Sequence, residues 1–239
     1  MAARAEDTID RAALLGILSR HRMLRLVDAA ELERLIGFAT PRALPARAQL
    51  FAAGDPGSAL YIVLSGWIKL SRPGPSGRDL VLEVAGAGSV FGEVSVVSGL
   101  PRGADASALV ATRLLSIDGR ALLQTLRRYP DALLELLRIL AERLARANTQ
   151  MEDTLFLPAE VRLARALIRL AALQAQPSEQ HLQIDLGLSQ RELGEITGLS
   201  RESTNKQLSL WRDEGLIDFN GRILTLLDGQ GMREISERT

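Results

Sequence analysis

Cysteine is absent from the 239-residue chain, so a disulfide framework, a thiolate zinc site, a thiolate-held iron–sulfur cluster and a catalytic thiol are all excluded. Histidine is scarce. His21 and His181 are the only two, too few for the multi-histidine metal sites of jelly-roll oxygenases, and with no metal-ligand spacing an enzyme is not expected. An excess of one charge is missing as well: 29 basic side chains face 29 acidic ones. Net charge therefore gives no sign for or against nucleic acid, because acids elsewhere can mask a local basic face. Long apolar runs are lacking too. The longest stretch without a charge, Pro56 to Ile68, has 13 residues and contains Pro, Ser and Gly, well short of a membrane span, so a soluble protein is expected. The opening Met-Ala-Ala-Arg-Ala-Glu-Asp carries acids where a signal peptide has its apolar stretch, which makes the cytoplasm the default location.

What is present falls into three zones, within a length that allows one large domain or two smaller ones. Residues 8–38 read as helical, with Asp28 placed to cap free backbone amides. From Pro41 onward, short apolar runs (Gln49–Ala52, Ala59–Leu64, Trp67–Ser71, Leu80–Val84, Ser107–Val110, Arg113–Ile117) alternate with Gly/Pro turns, the pattern of an antiparallel sandwich or jelly roll over 42–117. Glycine and proline then nearly vanish. From Asp118 to Leu155 the pattern is helical apart from Tyr129-Pro130, and Leu133, Leu137, Leu140, Leu144, Ala147, Met151 and Leu155 follow heptad spacing. This reads as a long helix that pairs with its copy in a second subunit, with Leu134 and Leu136 facing the chain's own β-domain; a core helix with a fortuitous repeat is the alternative. Leu157-Pro158 breaks it, and a new helix begins near residue 159.

The C-terminal zone carries the strongest local signals. Ser189-Gln-Arg-Glu192 is a capping box that opens a helix ending near Gly198, and Ser200 caps a second helix from Arg201 to about Asp213. Two apolar runs joined by Asn220-Gly221 follow as a hairpin, or wing, and Leu182–Leu186 alternates like a short strand. Helix, glycine turn, capped helix and wing make a winged helix-turn-helix. Its second helix places Arg201 to donate to guanine, Glu202 to accept from cytosine and Lys206 on the same face, while Ser189, Gln190, Ser200 and the wing meet phosphate. The alternative is a purely structural or protein-binding helical hairpin with Arg201 and Glu202 paired in solvent. Between Ser189 and Arg212, four basic residues face three acidic ones, a weak excess that favours a symmetric dimer on a pseudo-palindromic site.

Inside the β-zone lies Phe91-Gly92-Glu93, followed by Pro101-Arg102-Gly103-Ala104. Gly92 permits close backbone approach, the short helical turn after it offers free N–H groups, Glu93 accepts from sugar hydroxyls, and Arg102 is a fork for phosphate. Together they describe a pocket for a phosphorylated sugar. A buried Glu93–Arg102 ion pair that merely fixes the loop is the alternative.

With these motifs in order, the chain resembles the cyclic-AMP receptor protein / fumarate-nitrate regulator (CRP/FNR) family of bacterial transcription factors over nearly its whole length. The resemblance implies an α+β fold: a cyclic-nucleotide-binding-type jelly roll and effector domain over 1–129, a dimerisation helix and hinge over 130–157, and a winged helix-turn-helix over 158–239. It implies that Glu93 holds a ribose 2′-hydroxyl and Arg102 a cyclic phosphate, within a site of Gly92, Glu93, Arg102, Gly103, Ala104 and Asn148. Arg201, Glu202 and Lys206 would read a half-site related to TGTGA, and RNA polymerase becomes an expected partner. This chain departs from cyclic-AMP-responsive members in three places. Gly103 stands where a hydroxyl residue follows the arginine, Ala147-Asn148 where a Thr-Ser pair bonds adenine, and Lys206 where a second arginine is usual, so stringency at that base should relax. The effector is therefore cyclic AMP, another cyclic nucleotide or another ligand; a ligand-independent member, or a nucleotide-binding regulatory subunit acting through a protein partner, is the alternative. Oxygen sensing through a cluster is excluded by the missing thiols. Haem sensing is disfavoured because neither histidine falls in the β-zone or the dimer helix.

Overall fold

A computed structural model describes residues 11–74, 77–174, 182–185, 187–220 and 223–238. The first helical zone resolves into α1 (Arg11–Leu18), a 3-10 turn (Leu24–Leu26) and α2 (Ala29–Ile36). The β-zone comprises β1 (Ala39–Leu44), β2 (Gln49–Phe51), β3 (Ala59–Ser65), β4 (Ile68–Pro73), β5 (Asp79–Ala85), β6 (Val90–Phe91), the short α3 (Glu93–Ser98), β7 (Asp105–Ala108) and β8 (Thr112–Asp118). After it come α4 (Gly119–Arg128), α5 (Pro130–Phe156), α6 (Ala159–Gln174), β9 (Leu182–Ile184), α7 (Gln190–Thr197), α8 (Arg201–Asp213), β10 (Ile217–Asn220), β11 (Ile223–Leu226) and α9 (Gly229–Ser236). The chain clusters into two compact units, Met1–Leu70 with Glu83–Ala145, and Ser71–Leu82 with Arg146–Thr239.

Alternation along β3 explains the layering of the first unit. Leu60 and Ile62 pack on one face with α1, α2, α4 and the start of α5, while Tyr61 and Val63 pack on the other with Phe91, Ala106, Ala108 and Leu114. A strand apolar on both faces belongs in the middle. The two four-stranded sheets run β1-β8-β3-β6 and β2-β7-β4-β5, so the second core lies between sheets and the first lies under the helices. Two strands went beyond the sequence reading. β1 begins at Ala39 and carries Pro41 on an edge strand, where a missing N–H is tolerated, and β6 has two residues, too few for alternation to register.

Helix α5 departs from expectation at Leu134 and at Leu140, a seam residue by its heptad spacing that packs on the chain's own core. Leu133, Leu137, Leu144, Met151 and Leu155 are exposed and Leu136 is buried, but Leu134 is 50% exposed and does not face the β-domain. Leu134 stands three residues before Leu137 and thus on the same outward face, whereas Ala132, Leu136 and half-buried Leu140 form the inward stripe. The second unit has its own sheet, β10-β11-β9, with α6 lying against α7, α8, α9 and β9.

His21 is buried, and its Nδ1 accepts from the Met23 N–H at 3.3 Å. Burial pushes its pKa below the usual imidazole value, opposed by a backbone bond to Gly88. His181 lies outside the described residues.

Asp28 caps α2 as expected, accepting from the Glu31 N–H at 2.8 Å. Buried Glu31 then ties α2 to α4: it accepts from Arg34 at 2.6 and 2.9 Å, Thr125 at 2.7 Å and Arg128 at 3.3 Å. The Arg34 bonds, aided by Thr125 and Arg128 and opposed by burial, bring its pKa down to about 2. A carboxyl lowered on folding stabilises the fold above its unfolded pKa and loses that contribution as pH falls through the folded value. Glu31→Gln is therefore expected to cost about 1–3 kcal/mol at pH 7. In urea unfolding, the gap to the parent protein should close as pH falls from about 4.5 towards 2. A gap independent of pH would assign the loss to shape and not to charge.

Candidate effector pocket and nucleic-acid interface

The pocket grows from a loop that only small residues permit. Gly92 has φ +80°, and a Cβ there would stand 2.7 Å from Arg102 Nη1. At Gly57 a Cβ would lie 2.3 Å from Ser95 Cβ and 3.1 Å from Arg102 Nε. The backbone of Arg102 is pinned on the same turn, its N–H donating to the Asp55 carbonyl and its carbonyl accepting from Gly54, both at 2.8 Å. Gly57→Ala is accordingly expected to destabilise the first unit by about 1–3 kcal/mol through overpacking; an unchanged melting temperature would mean that the turn yields freely.

Arg102 is buried, with Nη1 donating to the Gly92 carbonyl and Nη2 to that of Ala59, each at 2.8 Å. Its guanidinium carbon lies 4.4 Å from the Phe51 ring centroid and 5.5 Å from that of Tyr61, over an aromatic cluster completed by Phe91. Glu93, 1% exposed, begins α3. Its partner is Arg143 of α5, not Arg102, so the loop-fixing Glu93–Arg102 pair does not form. Arg143 holds Glu93 Oε1 through Nη1, donates from Nη2 to the Val90 carbonyl at 2.8 Å, and places Nε 2.7 Å from Glu83 Oε2. Among the buried atoms without a hydrogen-bond partner are Glu93 Oε2 and Arg102 Nε. Such orphans each cost about 1–3 kcal/mol, which a ligand offering a hydroxyl and an anionic oxygen would recover. Gly103 is exposed with open space around a Cβ, and Ala104 is half-buried. Asn148 is exposed on the part of α5 that belongs to the second unit.

In that second unit the capping box is complete: the Glu192 N–H donates to Ser189 Oγ at 3.2 Å, and Glu192 accepts from the Ser189 N–H at 2.8 Å. Gly198 turns the chain at φ +69°, and a Cβ at Gly194 would meet the Leu199 carbonyl at 2.9 Å, so α7 and α8 cross closely. Ser200 caps α8 by accepting from the Ser203 N–H at 3.0 Å. Thr204, Leu208 and Trp211 point inward, which leaves Arg201, Glu202, Asn205 and Lys206 on the exposed side. Arg201 and Glu202 form no ion pair with each other. Ser189 is exposed and Gln190 half-buried at the start of α7. Arg191 is committed elsewhere, to Glu195 at 2.9 Å and the Gly77 carbonyl at 2.7 Å, which trims the already weak basic surface. The wing pairs Ile217 with Leu226 through Asn220 with Ile223, and the Gly221 half of its turn lies outside the described residues.

Residues 41–129 match the cyclic nucleotide-binding domain family and residues 161–235 the Crp-like helix-turn-helix domain family. The chain is 32% identical over 214 residues to the CRP-like cAMP-activated global transcriptional regulator of Mycobacterium tuberculosis, covering 90% of this chain and 96% of that one. The chain belongs to the CRP/FNR family of transcription regulators. It is also 29% identical to the cyclic AMP receptor protein of Thermus thermophilus, over 86% of this chain and 92% of that one. Among solved structures it resembles FixK2 from Bradyrhizobium japonicum in fold, with a TM-score of 0.76 at 21% identity over 84% of this chain and 98% of that one. The c-di-GMP responsive regulator CLP of Xanthomonas campestris gives a TM-score of 0.70 at 27% identity, over 83% of this chain and 99% of that one.

Membership of the CRP/FNR family makes this a DNA-binding regulator with a cyclic nucleotide-binding domain, in a family of regulators and not enzymes. For this CRP/FNR regulator the sequence reading missed Arg143, Glu83 and Asn205. Arg143 was within reach, because it continues the inward α5 stripe of Ala132, Leu136 and Leu140 at helical spacing, where a charge demands a buried partner. Asn205 stands one turn after Arg201 on the same face, and its amide suits an adenine edge. Glu83 offered no local signal.

Proposed function

We propose that the protein is a homodimeric, cytoplasmic transcription regulator whose DNA binding is gated by a cyclic nucleotide in the jelly-roll domain. The orphaned Glu93 Oε2 and Arg102 Nε, side by side with glycines that admit close backbone approach, carry this reading. A ribose hydroxyl donates to Glu93, and the cyclic phosphate recruits Arg102 from its two carbonyl partners; Gly92, Gly103, Ala104 and Asn148 complete the site. Arg201, Glu202 and Lys206 read bases, and Ser189, Gln190, Ser200 and the wing hold phosphate. The division at 129/130 and 157/158 assigns sensing, pairing through α5 and DNA reading to successive segments, with Leu157-Pro158 as hinge and RNA polymerase as the downstream partner. Relatives described as cAMP-activated and as c-di-GMP responsive support a nucleotide effector of this class.

Titration calorimetry of the full chain with cyclic AMP and cyclic GMP tests it, with Arg102→Ala as control. Binding lost in Arg102→Ala is expected, and ligand and operator should tighten each other by the same factor. Gly103→Ser, which meets open space, is expected to tighten phosphate binding without shifting the melting temperature. A second reading has an observation of its own: Arg143 already neutralises Glu93, as a ligand-independent member requires. Operator binding at full strength without nucleotide would favour it.

A further inference from the structure

Asn205 has no part in the DNA contacts proposed for Arg201, Glu202 and Lys206, and none in holding the fold. It is the fifth residue of the 13-residue α8, too deep to cap the helix. The hydroxyls around it are bonded locally. Ser200 Oγ donates to Ser203 Oγ at 2.9 Å and accepts from the Ser203 N–H at 3.0 Å, and Thr204 Oγ1 donates to the Ser200 carbonyl at 2.9 Å. Asn205 is exposed, and no described residue bonds its amide. Asparagine is also a poor helix former at an interior position, since its amide competes for nearby backbone groups. Its side chain thus stands on a regular helix with both ends of the amide, donor and acceptor, free for a partner outside the chain.

Resting on the DNA-reading assignment of α8, we propose that Asn205 is a further base reader and that its base is adenine. Thr204, Leu208 and Trp211 turn inward, so Asn205 lies on the flank of Arg201, one turn later. Four residues carry it about 6 Å along the helix axis. Base pairs are stacked about 3.4 Å apart, so the two side chains address neighbouring pairs and not the same one. Arg201 and Glu202 both specify G·C, one through guanine and the other through cytosine, and Lys206 is a point charge that discriminates weakly. None of the three distinguishes A·T from T·A. An amide does: its carbonyl accepts from adenine N6 while its NH2 donates to N7, and no other base edge in the major groove sets that donor beside that acceptor. Guanine presents two acceptors, one of which repels the amide carbonyl, and cytosine and thymine each present a single polar group.

The test is selection from palindromic duplexes randomised over the half-site, by the full chain, Asn205→Ala and Arg201→Ala, each with and without cyclic AMP. The parent protein is expected to enrich an A·T pair within two base pairs of the guanine that Arg201→Ala makes degenerate. Asn205→Ala should lose its preference at that A·T pair alone, by about tenfold, and keep the G·C preferences, which doubles as the check that the variant folds. A duplex with 7-deaza-adenine at that pair, in which C–H replaces the N7 acceptor, should bind the parent protein about fivefold more weakly and Asn205→Ala within about twofold of the natural duplex. A motif that Asn205→Ala leaves unchanged, or an even loss over all sequences, would overturn the adenine assignment while Arg201 and Glu202 keep theirs; the even loss would place Asn205 on phosphate. If the parent protein enriches no sequence, base reading by α8 fails and the adenine assignment fails with it.

Discussion

Arg201→Ala is expected to lower affinity for the cognate operator by about 10- to 100-fold, the equivalent of the 1–3 kcal/mol that a bidentate arginine–guanine contact supplies. The melting temperature should hardly move, since the side chain is exposed at the start of α8 and pairs with no described residue. That separation of binding from stability makes the variant informative. Glu202→Gln should relax discrimination against the wrong base at the position it reads, and Lys206→Arg should sharpen it by replacing a point charge with a fork. Fluorescence anisotropy on operator and scrambled duplexes at one fixed salt concentration decides the matter. Equal losses on both duplexes would mean that Arg201 holds phosphate and reads no base.

Helix α8 is legible in the sequence because its determinants are local. A capping serine, a glycine able to take φ +69° and a second capping serine fall within twelve residues, and each acts on backbone groups a few positions away. The jelly roll was legible for a similar reason, since alternation and turn residues mark strands one at a time; Pro41 obscured only the edge strand. The pocket was half legible. Gly92, Glu93 and Arg102 sit together in the chain, but Arg143 reaches Glu93 across fifty residues and Glu83 enters from another strand, and no short-range rule pairs them. The Glu93–Arg102 alternative failed for the same reason: nearness in sequence suggested a partner that tertiary packing supplied from α5. Leu134 was misassigned because a heptad count fixes a seam without saying which flank of it faces the core.

The same helix carries the other large effect. Leu133, Leu137, Leu144, Met151 and Leu155 lie exposed along α5, and Leu144 at 64% and Leu155 at 69% are too open to support either unit's own core. In a lone chain, replacing Leu144 and Met151 with Asp removes few packing contacts, so far-UV helicity should be retained. Between two copies, the same change sets four carboxylates in an apolar seam, each with a desolvation penalty of several kcal/mol. The parent protein is therefore expected to sediment as a dimer and the double variant as a monomer. Operator binding should respond far more than any single base contact does. A dimer presents its second recognition helix at high effective concentration once the first has docked, a gain of about 10²- to 10⁴-fold that a monomer forfeits without losing one base-reading side chain. Affinity for an isolated half-site should then be the same in both proteins, while affinity for the two-site palindrome falls only in the variant. A monomeric variant that keeps palindrome affinity would show that α5 holds the chain together for some other purpose, and that one copy of the helix-turn-helix suffices despite its thin basic surface.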